Sequence, residues 1–472
     1  MYKPTIGLEI HIELKTATKM FCGCPNNFAL AKPNENTCPV CLGHPGTLPT
    51  INHEAVRSLV RFGLAIQGKI APRTNFDRKS YFYPDLPKGY QISQYELPIV
   101  SGGTLAGVRI RRVHLEEDAG RLLHDAPGKT LVDYNRAGMP LAELVTEPDL
   151  KTGDEAMCFA KELQLLVRYL GISDADMEKG HMRIEANVSL SKSETLGTKV
   201  EVKNINSFKA VGVAIAYELQ RQEEALLAGK KVAQETRGWD DVEMKTVSQR
   251  SKESAHDYRY FPEPDLPPLE FTPEELEDLK RHLPELPEEK LVRFKKSFGL
   301  REELVEDLIS DKSLADYFEA ASSELVARTK KADYTLLANY LLSDLRGILN
   351  TKHVSLQEGR VPPEHLAHLV ALIQIGTLSS RLAKDLLAKM FDSSEDPETL
   401  MKKEGTKMIN SETELSPIIE EVISKNPKAV SDYKNGKEEA LQFLFGQAMG
   451  MTKGQADPTA LRAVLRQILA SL

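Results

Sequence analysis

Acidic side chains, together with one histidine, recur on the polar faces of segments in which apolar residues alternate. Glu9 and His11 are two residues apart, so both face the same side of a predicted strand, roughly 6–7 Å from each other. Further carboxylates are provided by Glu116, Glu117, Glu185 and Glu201. If these groups converge, they must take up protons or bind a cation, and oxygen ligands of this kind favour Mg²⁺. Spacing alone favours a simpler interpretation, in which these side chains are solvated charges on the open face of a half-exposed sheet.

Four of the five cysteines form two close pairs, Cys22-Gly-Cys24 and Cys38-Pro-Val-Cys41. The loop 22–41 is similar to a zinc ribbon, although its first pair is CxC instead of CxxC. Four thiolates around zinc leave no open position, so a structural role is expected. The alternative is that some of the four are small core residues. Cys158 is expected in the core because it lies in the middle of a predicted helix.

Aromatic and basic side chains alternate in a third region, Phe76–Asp85, which continues through Lys88–Gln94. This pattern suits a single-stranded nucleic-acid end that stacks on aromatic rings. It suits an aromatic loop that closes a core equally well, and Asp257–Asp265 presents the same two alternatives. The sequence contains no Walker A, HExxH or GxSxG motif, and no GxGxxG that opens a helix.

Period-two alternation predicts the strands that carry the acidic residues. These are Thr5–Leu14, Met182–Leu190 and Lys199–Lys203, each with one apolar and one polar face. A capping box of Thr152 and Glu155 predicts an intervening helix. These segments predict an antiparallel sheet with one buried face.

The second half of the chain differs from the first in its composition and its hydrophobic periodicity. Phe261–Pro268 is rich in proline and is predicted to leave the sheet domain as an extended segment, and helical periodicity dominates from Thr272. The predicted fold class is α+β. An N-terminal antiparallel-sheet cradle domain (1–288) is followed by a helical domain (289–400) and a small all-helical tail domain (401–472).

Composition excludes several classes of protein. The 472 residues carry a net charge of −8, so a long basic groove for duplex DNA is not expected, whereas a local RNA contact is compatible. No apolar stretch approaches the ~20 residues needed to span a bilayer, and no membrane partner is expected. We expect a cytoplasmic bacterial protein, with an organellar matrix as the alternative.

The motifs together resemble one family, the B subunits of tRNA-dependent amidotransferases, in order along essentially the whole chain. They are IGLEIHIEL at 6–14, CGCP…CPVCLGHPG at 22–46, DRKSYFYPDLPKGYQISQ at 77–94, HLEEDAG at 114–120, VDYNRAGMPLAELVTEPD at 132–149, MEKGHMRIEANVSL at 177–190, EVKNINSF at 201–208, DYRYFPEPDLP at 257–267 and the tail segment 426–458. The resemblance implies a ligase component that acts in translation.

The family resemblance also implies a reaction and its partners. Mischarged Glu-tRNA(Gln) or Asp-tRNA(Asn) is bound, its side-chain carboxylate is phosphorylated with ATP and Mg²⁺, and ammonia displaces the phosphate. The ammonia comes from glutamine through an amidase A subunit, and a small C subunit completes a heterotrimer. Which mischarged tRNA is used stays open.

The resemblance further implies site residues. The catalytic and Mg²⁺-binding residues are Glu9, His11, Glu117, Glu185 and Glu201. Glu116 and Glu117 stay alternatives, because alternation from His114 favours Glu116 whereas the family favours Glu117. Candidate contacts to the tRNA 3′ end or ATP phosphates are Lys79, Tyr81, Tyr83 and Lys88, and Lys453 is a candidate contact to the tRNA body. From the spacing of the two cysteine pairs, the expected structural zinc ligands are Cys22, Cys24, Cys38 and Cys41.

Overall fold

The computed structural model describes residues 2–28, 31–126, 128–193, 195–251, 258–404, 409, 411–452 and 455–471. The chain divides into two compact units, Met1–Pro287 and Glu288–Leu472. The named strands all lie in the first unit, and the named elements of the second unit are all helices. The chain therefore has the α+β composition expected from its sequence, whereas the finer division into three domains stays a prediction.

The three longest strands of the first unit, of 10 or 11 residues, carry acidic residues of the predicted site. In chain order the strands are β1 Lys3–Glu13, β2 Lys69–Ile70, β3 Arg73–Thr74, β4 Asp77–Ser80, β5 Tyr90–Ser93, β6 Val100–Ser101, β7 Thr104–Leu105, β8 Val108–Glu117, β9 Arg121–Ala126, β10 Lys129–Asp133, β11 Pro140–Thr146, β12 Met182–Ser191, β13 Val200–Ile205, β14 Glu235–Asp240, β15 Lys245–Ser251, β16 Phe261–Pro262 and β17 Leu269–Glu270.

Helices α1–α4 belong to the sheet unit, and α5 begins at its boundary. They are α1 His53–Ala65, α2 Gly153–Tyr169, α3 Phe208–Leu227, α4 Pro273–Arg281, α5 Pro287–Phe298, α6 Glu302–Ile309, α7 Lys312–Arg328, α8 Tyr334–Asn339, a π-helical turn Tyr340–Leu345, α9 Arg346–Lys352, α10 Pro363–Gln374, α11 Ser380–Ser393, α12 Pro397–Glu404, α13 Glu412–Lys425, α14 Pro427–Lys434, α15 Glu438–Met451 and α16 Pro458–Ser471. No helix in the described ranges is both long and apolar enough to cross a bilayer.

The main sheet has the strand order β15-β14-β13-β12-β1-β11-β8-β6-β2, with β7 paired to β8. Strand β1 is central, because β11 and β12 pair with it antiparallel on either side. Its residues Ile6, Leu8 and Ile10 are fully buried, and the residues between them are half-buried. The alternation that predicts β1 from sequence therefore separates a core face from a polar face.

Helices α2 and α3 pack together, and α3 lies on β12 and β13. The two helices approach closely at Gly153 and Gly212, because a Cβ on Gly153 would lie 2.2 Å from the carbonyl oxygen of Gly212. The buried face of α2 carries Phe159 and Leu163, and Cys158 is exposed. The prediction that Cys158 is a core residue is wrong, because its position lies away from the apolar stripe of the helix.

Two strand pairings differ from the sequence-based expectation. Strands β13 and β14 are parallel, because the 20-residue helix α3 connects them as a crossover. Phe261–Pro262 forms the edge strand β16 beside β4, so the proline-rich segment does not leave the sheet unit at this point. An edge strand tolerates proline because its outer side needs no hydrogen-bond donor.

The helical unit buries two separate apolar clusters. One extends from Phe294 to Met401 and the other from Leu415 to Leu469. The last helix, α16, begins after Asp457, whose carboxylate accepts a hydrogen bond from the backbone N–H of Ala460 at 2.6 Å. Asp457 thus caps the N-terminus of α16.

Candidate active site and cysteine cluster

A row of histidine and glutamate side chains crosses the polar face of the main sheet. His11 of β1 lies opposite Glu143 of β11, and Glu143 lies opposite His114 of β8. Glu116 follows His114 by two residues, so both are on the same face. Glu9 shares the face of His11 and lies opposite Glu185 in β12. Sheet register therefore collects residues that are up to 176 positions apart in the sequence.

The distances within this row are short. The Nε2 atom of His11 lies 3.5 Å from Glu143 Oε2 and 3.8 Å from Glu116 Oε2. The Nε2 atom of His114 lies 3.4 Å from Glu143 Oε2 and 3.3 Å from Glu116 Oε1. We call these five residues, Glu9, His11, His114, Glu116 and Glu143, the carboxylate–histidine cluster.

Burial makes the charges in this cluster interdependent. Burial and the neighbouring carboxylates of Glu143 and Glu185 raise the pKa of Glu9. Burial opposes the charged form of His114, but Glu143 and Glu116 outweigh it and raise the pKa of His114 to about 9. Burial also opposes the charged form of Glu143, yet the imidazoles of His114 and His11 hold its pKa well below the usual range. The buried carboxylates therefore favour a positively charged partner, such as a protonated imidazole or a cation, at this point of the sheet.

The cluster fits a divalent cation. Ligand atoms of Glu9, His11 and Glu143 lie within 4.8 Å of one another, as do those of His114, Glu116 and Glu143. Glu143 belongs to both triads. Among the described residues the buried Nδ1 atom of His114 has no hydrogen-bond partner, so the polar contacts of this ring are made through Nε2. Carboxylate oxygens with one or two imidazoles suit Mg²⁺ or Mn²⁺.

Glu117 does not lie in the cluster, although the family resemblance favoured it over Glu116. Its carboxylate pairs with the ammonium of Lys88 and accepts a hydrogen bond from the backbone N–H of Ile92 at 2.9 Å. A cavity of about 80 Å³ borders Glu117, Lys88 and Cys41. Adjacent residues of a strand point to opposite faces, so only one of Glu116 and Glu117 can reach His11.

Glu185 and Glu201 lie next to the cluster and are joined by a lysine. Lys203 Nζ is 2.8 Å from Glu185 Oε2 and 3.9 Å from Glu201 Oε1. Thr236 of β14 donates a hydrogen bond of 2.7 Å to Glu201 Oε2. Both carboxylates are therefore paired with protein groups, and neither belongs to the two triads of candidate metal ligands.

The predicted substrate-binding residues fall in three environments. Lys79 lies 5.1 Å from the ring centroid of Tyr258, and its charge is favoured by Glu116 and Glu143 despite burial, which raises the pKa of Lys79. Tyr81 and Tyr83 are exposed, with ring centroids 6.2 Å apart. Lys88 is buried against Glu117 as described above. Lys453, and Asp257 at the start of the second aromatic segment, lie outside the described residues.

Sequence reasoning missed Glu143 and the contribution of His114. Strand β11 is buried on both faces, so its sequence shows no polar alternation. The available signal was one carboxylate within the otherwise apolar run Pro140–Val145, because an unpaired buried charge is unfavourable and therefore indicates a partner. Arg112 was missed as well; its guanidinium lies 3.9 Å from Glu143 Oε1.

The four predicted zinc ligands come together. The sulfur atoms of Cys22, Cys24, Cys38 and Cys41 all lie within 4.8 Å of one another. A hydrogen bond from Cys22 lowers the pKa of Cys41 to about 5 against the effect of burial, and the backbone N–H of Cys38 contributes to the same shift. Four converging sulfurs are the donor set of a closed tetrahedral zinc site.

Two protein-family models together match most of the chain. The model of the GatB/GatE catalytic domain matches residues 4–277, and the model of the GatB domain matches residues 316–469. The chain belongs to the amidotransferase B-subunit family. Its relatives include the B subunit of the aspartyl/glutamyl-tRNA(Asn/Gln) amidotransferase of Thermus thermophilus, which is 48% identical over 99% of both chains. The proteins of the same name from Carboxydothermus hydrogenoformans and Thermotoga maritima are each 44% identical, over 100% and 99% of this chain and 99% of their own lengths.

The two family matches fall in both units of the structure. The catalytic-domain match contains the whole carboxylate–histidine cluster and all four clustered cysteines. The second match covers most of the helical unit. The family resemblance predicted from sequence is therefore confirmed.

Proposed function

We propose that this chain is the subunit of an ATP-dependent amidotransferase that converts mischarged Glu-tRNA(Gln), Asp-tRNA(Asn) or both into Gln-tRNA(Gln) and Asn-tRNA(Asn). The observation that carries the proposal is the carboxylate–histidine cluster within the matched catalytic domain. The names of the relatives give the class of substrate. The phosphoryl-transfer chemistry is argued from the residues of the cluster and their neighbours.

The reaction has two balanced steps. An oxygen of the side-chain carboxylate on the mischarged tRNA attacks the γ-phosphorus of ATP, and ADP leaves. The nitrogen of ammonia then attacks the carbonyl carbon of the acyl phosphate, inorganic phosphate leaves, and the amide forms with loss of a proton. Neither step requires a protein nucleophile, and the sequence contains none of the nucleophile motifs sought.

Phosphoryl transfer depends on positioning and on charge stabilisation. His11, Glu116 and Glu143 would hold Mg²⁺ with Glu9, and the bound ion would neutralise charge that develops on the phosphates. Lys79 and Arg112 lie beside these carboxylates, with Arg112 3.9 Å from Glu143. These cations attract the triphosphate to the polar face of the sheet. Lys203 supplies positive charge near Glu185 on the other side.

Glu116 replaces Glu117 in our assignment of the metal ligands. The buried pairing of Glu117 with Lys88 satisfies its charge without a metal. Glu185 and Glu201 are assigned to the surroundings of the metal, where Lys203 and Thr236 orient them. Tyr81 and Tyr83 keep their candidate role in stacking on the tRNA 3′ end.

We assign structural zinc to the four cysteines and no catalytic role to them, because the donor set leaves no open coordination position. The partners of the proposed enzyme are an amidase A subunit, which releases ammonia from glutamine, and a small C subunit. The helical tail (401–472) is proposed to contact the body of the tRNA.

The test is ATP hydrolysis and amide formation by the heterotrimer, with ammonia supplied. Glu-tRNA(Gln), Asp-tRNA(Asn) and a correctly charged tRNA are compared, with Glu143→Gln as the inactive variant and Glu147→Gln as a matched control in the turn after β11. We expect a mischarged tRNA to stimulate hydrolysis and to gain an amide, and Glu143→Gln to abolish both.

Two results would contradict the proposal. If neither mischarged tRNA stimulated hydrolysis although both bound, the chain would be a tRNA-binding scaffold. If Glu143→Gln turned over normally, the reaction would occur at another place. Loss of glutamine-dependent but not ammonia-dependent activity without the A and C subunits would support the proposed division of labour.

A further inference from the structure

Lys19 has an unusual environment for a lysine. Its side chain is 0% exposed, although it carries an ammonium at its end. The Nζ atom is 3.2 Å from the carbonyl oxygen of Tyr134 and 3.8 Å from the sulfur of Cys41. Its own backbone N–H donates to the carbonyl oxygen of Cys24 at 2.9 Å. The lysine is therefore attached at both ends to the cysteine cluster.

Within the described part of the chain, no carboxylate pairs directly with the ammonium of Lys19. Among the described residues, no Asp or Glu oxygen lies within 4.0 Å of its Nζ atom. Lys290, also buried, shows the usual arrangement, with Asp316 at 3.0 Å and Glu319 at 3.2 Å. A buried ammonium without a counter-charge is strongly unfavourable. Some other group must supply negative charge near Lys19.

The sulfur cluster is the group that can supply it. Protonated thiols are neutral, and so are disulfides, so neither state would compensate an ammonium. Four thiolates around a divalent metal carry a net charge of −2. An ammonium 3.8 Å from one of these sulfurs would reduce that net charge to −1.

Packing fixes Lys19 in this place. Gly138 has φ +85°, and a Cβ there would lie 3.5 Å from Cys41 Cβ, 3.6 Å from Lys19 Cδ and 3.8 Å from Oε2 of Glu117, the carboxylate that pairs with Lys88. The backbone N–H of Met20, the next residue, donates to the carbonyl oxygen of Gly138 at 2.8 Å. The lysine stem and the Cys41 side chain therefore lie against the same turn, which holds the ammonium on the sulfur side.

We infer that Lys19 is the charge-balancing cation of an anionic four-thiolate metal site, and that it raises the affinity of this site for zinc. The inference rests on the proposed structural zinc and does not depend on the transamidation reaction. Lys19 is a positioning residue, because its charge acts on the metal through the sulfur of Cys41. Partners of this kind change metal affinity by about 10–100-fold.

The test measures zinc affinity of the full chain by competition with a chromophoric chelator. Lys19→Met removes the charge and keeps an unbranched side chain that is one atom shorter, and we expect zinc affinity to fall about tenfold. The matched control is Lys15→Met, since Lys15 is close in sequence but exposed and paired with Asp174 at 2.9 Å. Lys15→Met should leave zinc affinity unchanged. Equal zinc affinity of Lys19→Met and the parent chain would overturn the inference.

A second readout separates charge from packing. In the zinc-loaded chain, Lys19→Met should lower the midpoint of thermal unfolding. In the chelator-stripped chain the ammonium has lost most of its counter-charge, so the same substitution should lower the midpoint by much less. An equal decrease in both states would show that Lys19 acts only through packing. If stripping unfolds the chain, zinc competition alone decides, because it is measured on the loaded protein.

Discussion

Glu116 and Glu117 are neighbours at the end of strand β8, yet their carboxylates serve different partners. Glu116 accepts hydrogen bonds from Ser93 at 2.5 Å and Gln91 at 3.2 Å and lies beside the two imidazoles. Glu117 pairs with the buried ammonium of Lys88. The alternation of side chains along a strand therefore assigns one carboxylate to the cluster and the other to an internal ion pair.

Substitution of Glu116 should weaken metal binding, whereas substitution of Glu117 should not. Glu116→Gln removes a carboxylate oxygen from the cluster, so Mn²⁺ binding, followed by electron paramagnetic resonance, should weaken by about 100-fold or more. That exceeds the ~10–100-fold effect of residues that only orient a ligand. Glu117→Gln should leave Mn²⁺ binding within about twofold of the parent chain. The reverse pattern would restore Glu117 as the metal ligand.

Glu117→Gln should instead lower stability. It leaves the ammonium of Lys88, whose side chain is 9% exposed, without its carboxylate partner. Breaking a buried pair in this way costs about 3–5 kcal/mol in the free energy of unfolding. Urea denaturation of the parent chain and both variants measures this difference, and a Glu117→Gln chain as stable as the parent would contradict it.

His114 should be required for metal binding although it was not predicted from sequence. Its Nε2 atom contacts Glu116 and Glu143 together, so His114→Asn frees both carboxylates. We expect Mn²⁺ affinity to fall about 10–100-fold. His124→Asn is the matched control, because His124 is exposed and its Nδ1 atom lies 3.1 Å from Thr130 Oγ1. Unchanged affinity in His114→Asn would remove this residue from the site.

Thiol reactivity should distinguish Cys158 from the four clustered cysteines. Cys158 is exposed, whereas zinc-bound thiolates are protected from modification. In the zinc-loaded chain we expect one rapidly reacting thiol, which Cys158→Ser removes. Chelator together with denaturant should expose all five cysteines, with release of one zinc per chain. Rapid reaction of all five in the untreated chain would show that the cluster holds no metal.

In the helical unit, Asp396 should give stability that depends on pH. Its carboxylate lies 2.7 Å from His368 Nδ1 and accepts the backbone N–H of Glu398 at the start of α12. Burial raises the pKa of Asp396, but His368 outweighs it and the net shift is downward from about 3.8. The stabilisation is therefore complete above about pH 4 and is lost as the pH falls through the lowered value.

Asp396→Ala should accordingly lower the free energy of unfolding at pH 7 by about 1 kcal/mol, as typical of a lost N-terminal cap. The difference should shrink as the pH falls below 3.8. Asp396→Asn keeps an oxygen for the cap and loses only the charge, so its effect should be smaller. Denaturant titrations at several pH values measure both, and a pH-independent difference would exclude a role for the charge.

Periodicity predicted the strands of the site well, because β1, β12 and β13 each have one buried face and one polar face. It failed for β11, where burial on both faces removes the alternation that identifies Glu143. Alternation from His114 favoured Glu116, which is the residue that lies in the cluster, whereas the family resemblance favoured Glu117. Register between distant strands determines these contacts, and local sequence does not encode it directly.

The central position of β1 has a consequence for biosynthesis. Lys3–Glu13 is synthesised well before its two neighbours in the sheet, β11 and β12, which begin only at Pro140 and Met182. At about 5–20 residues per second, the nascent strand waits on the order of ten to forty seconds for its second neighbour. Until then its three isoleucines and Leu8 lack the complete sheet that buries them, so the growing chain exposes an apolar strand that can aggregate.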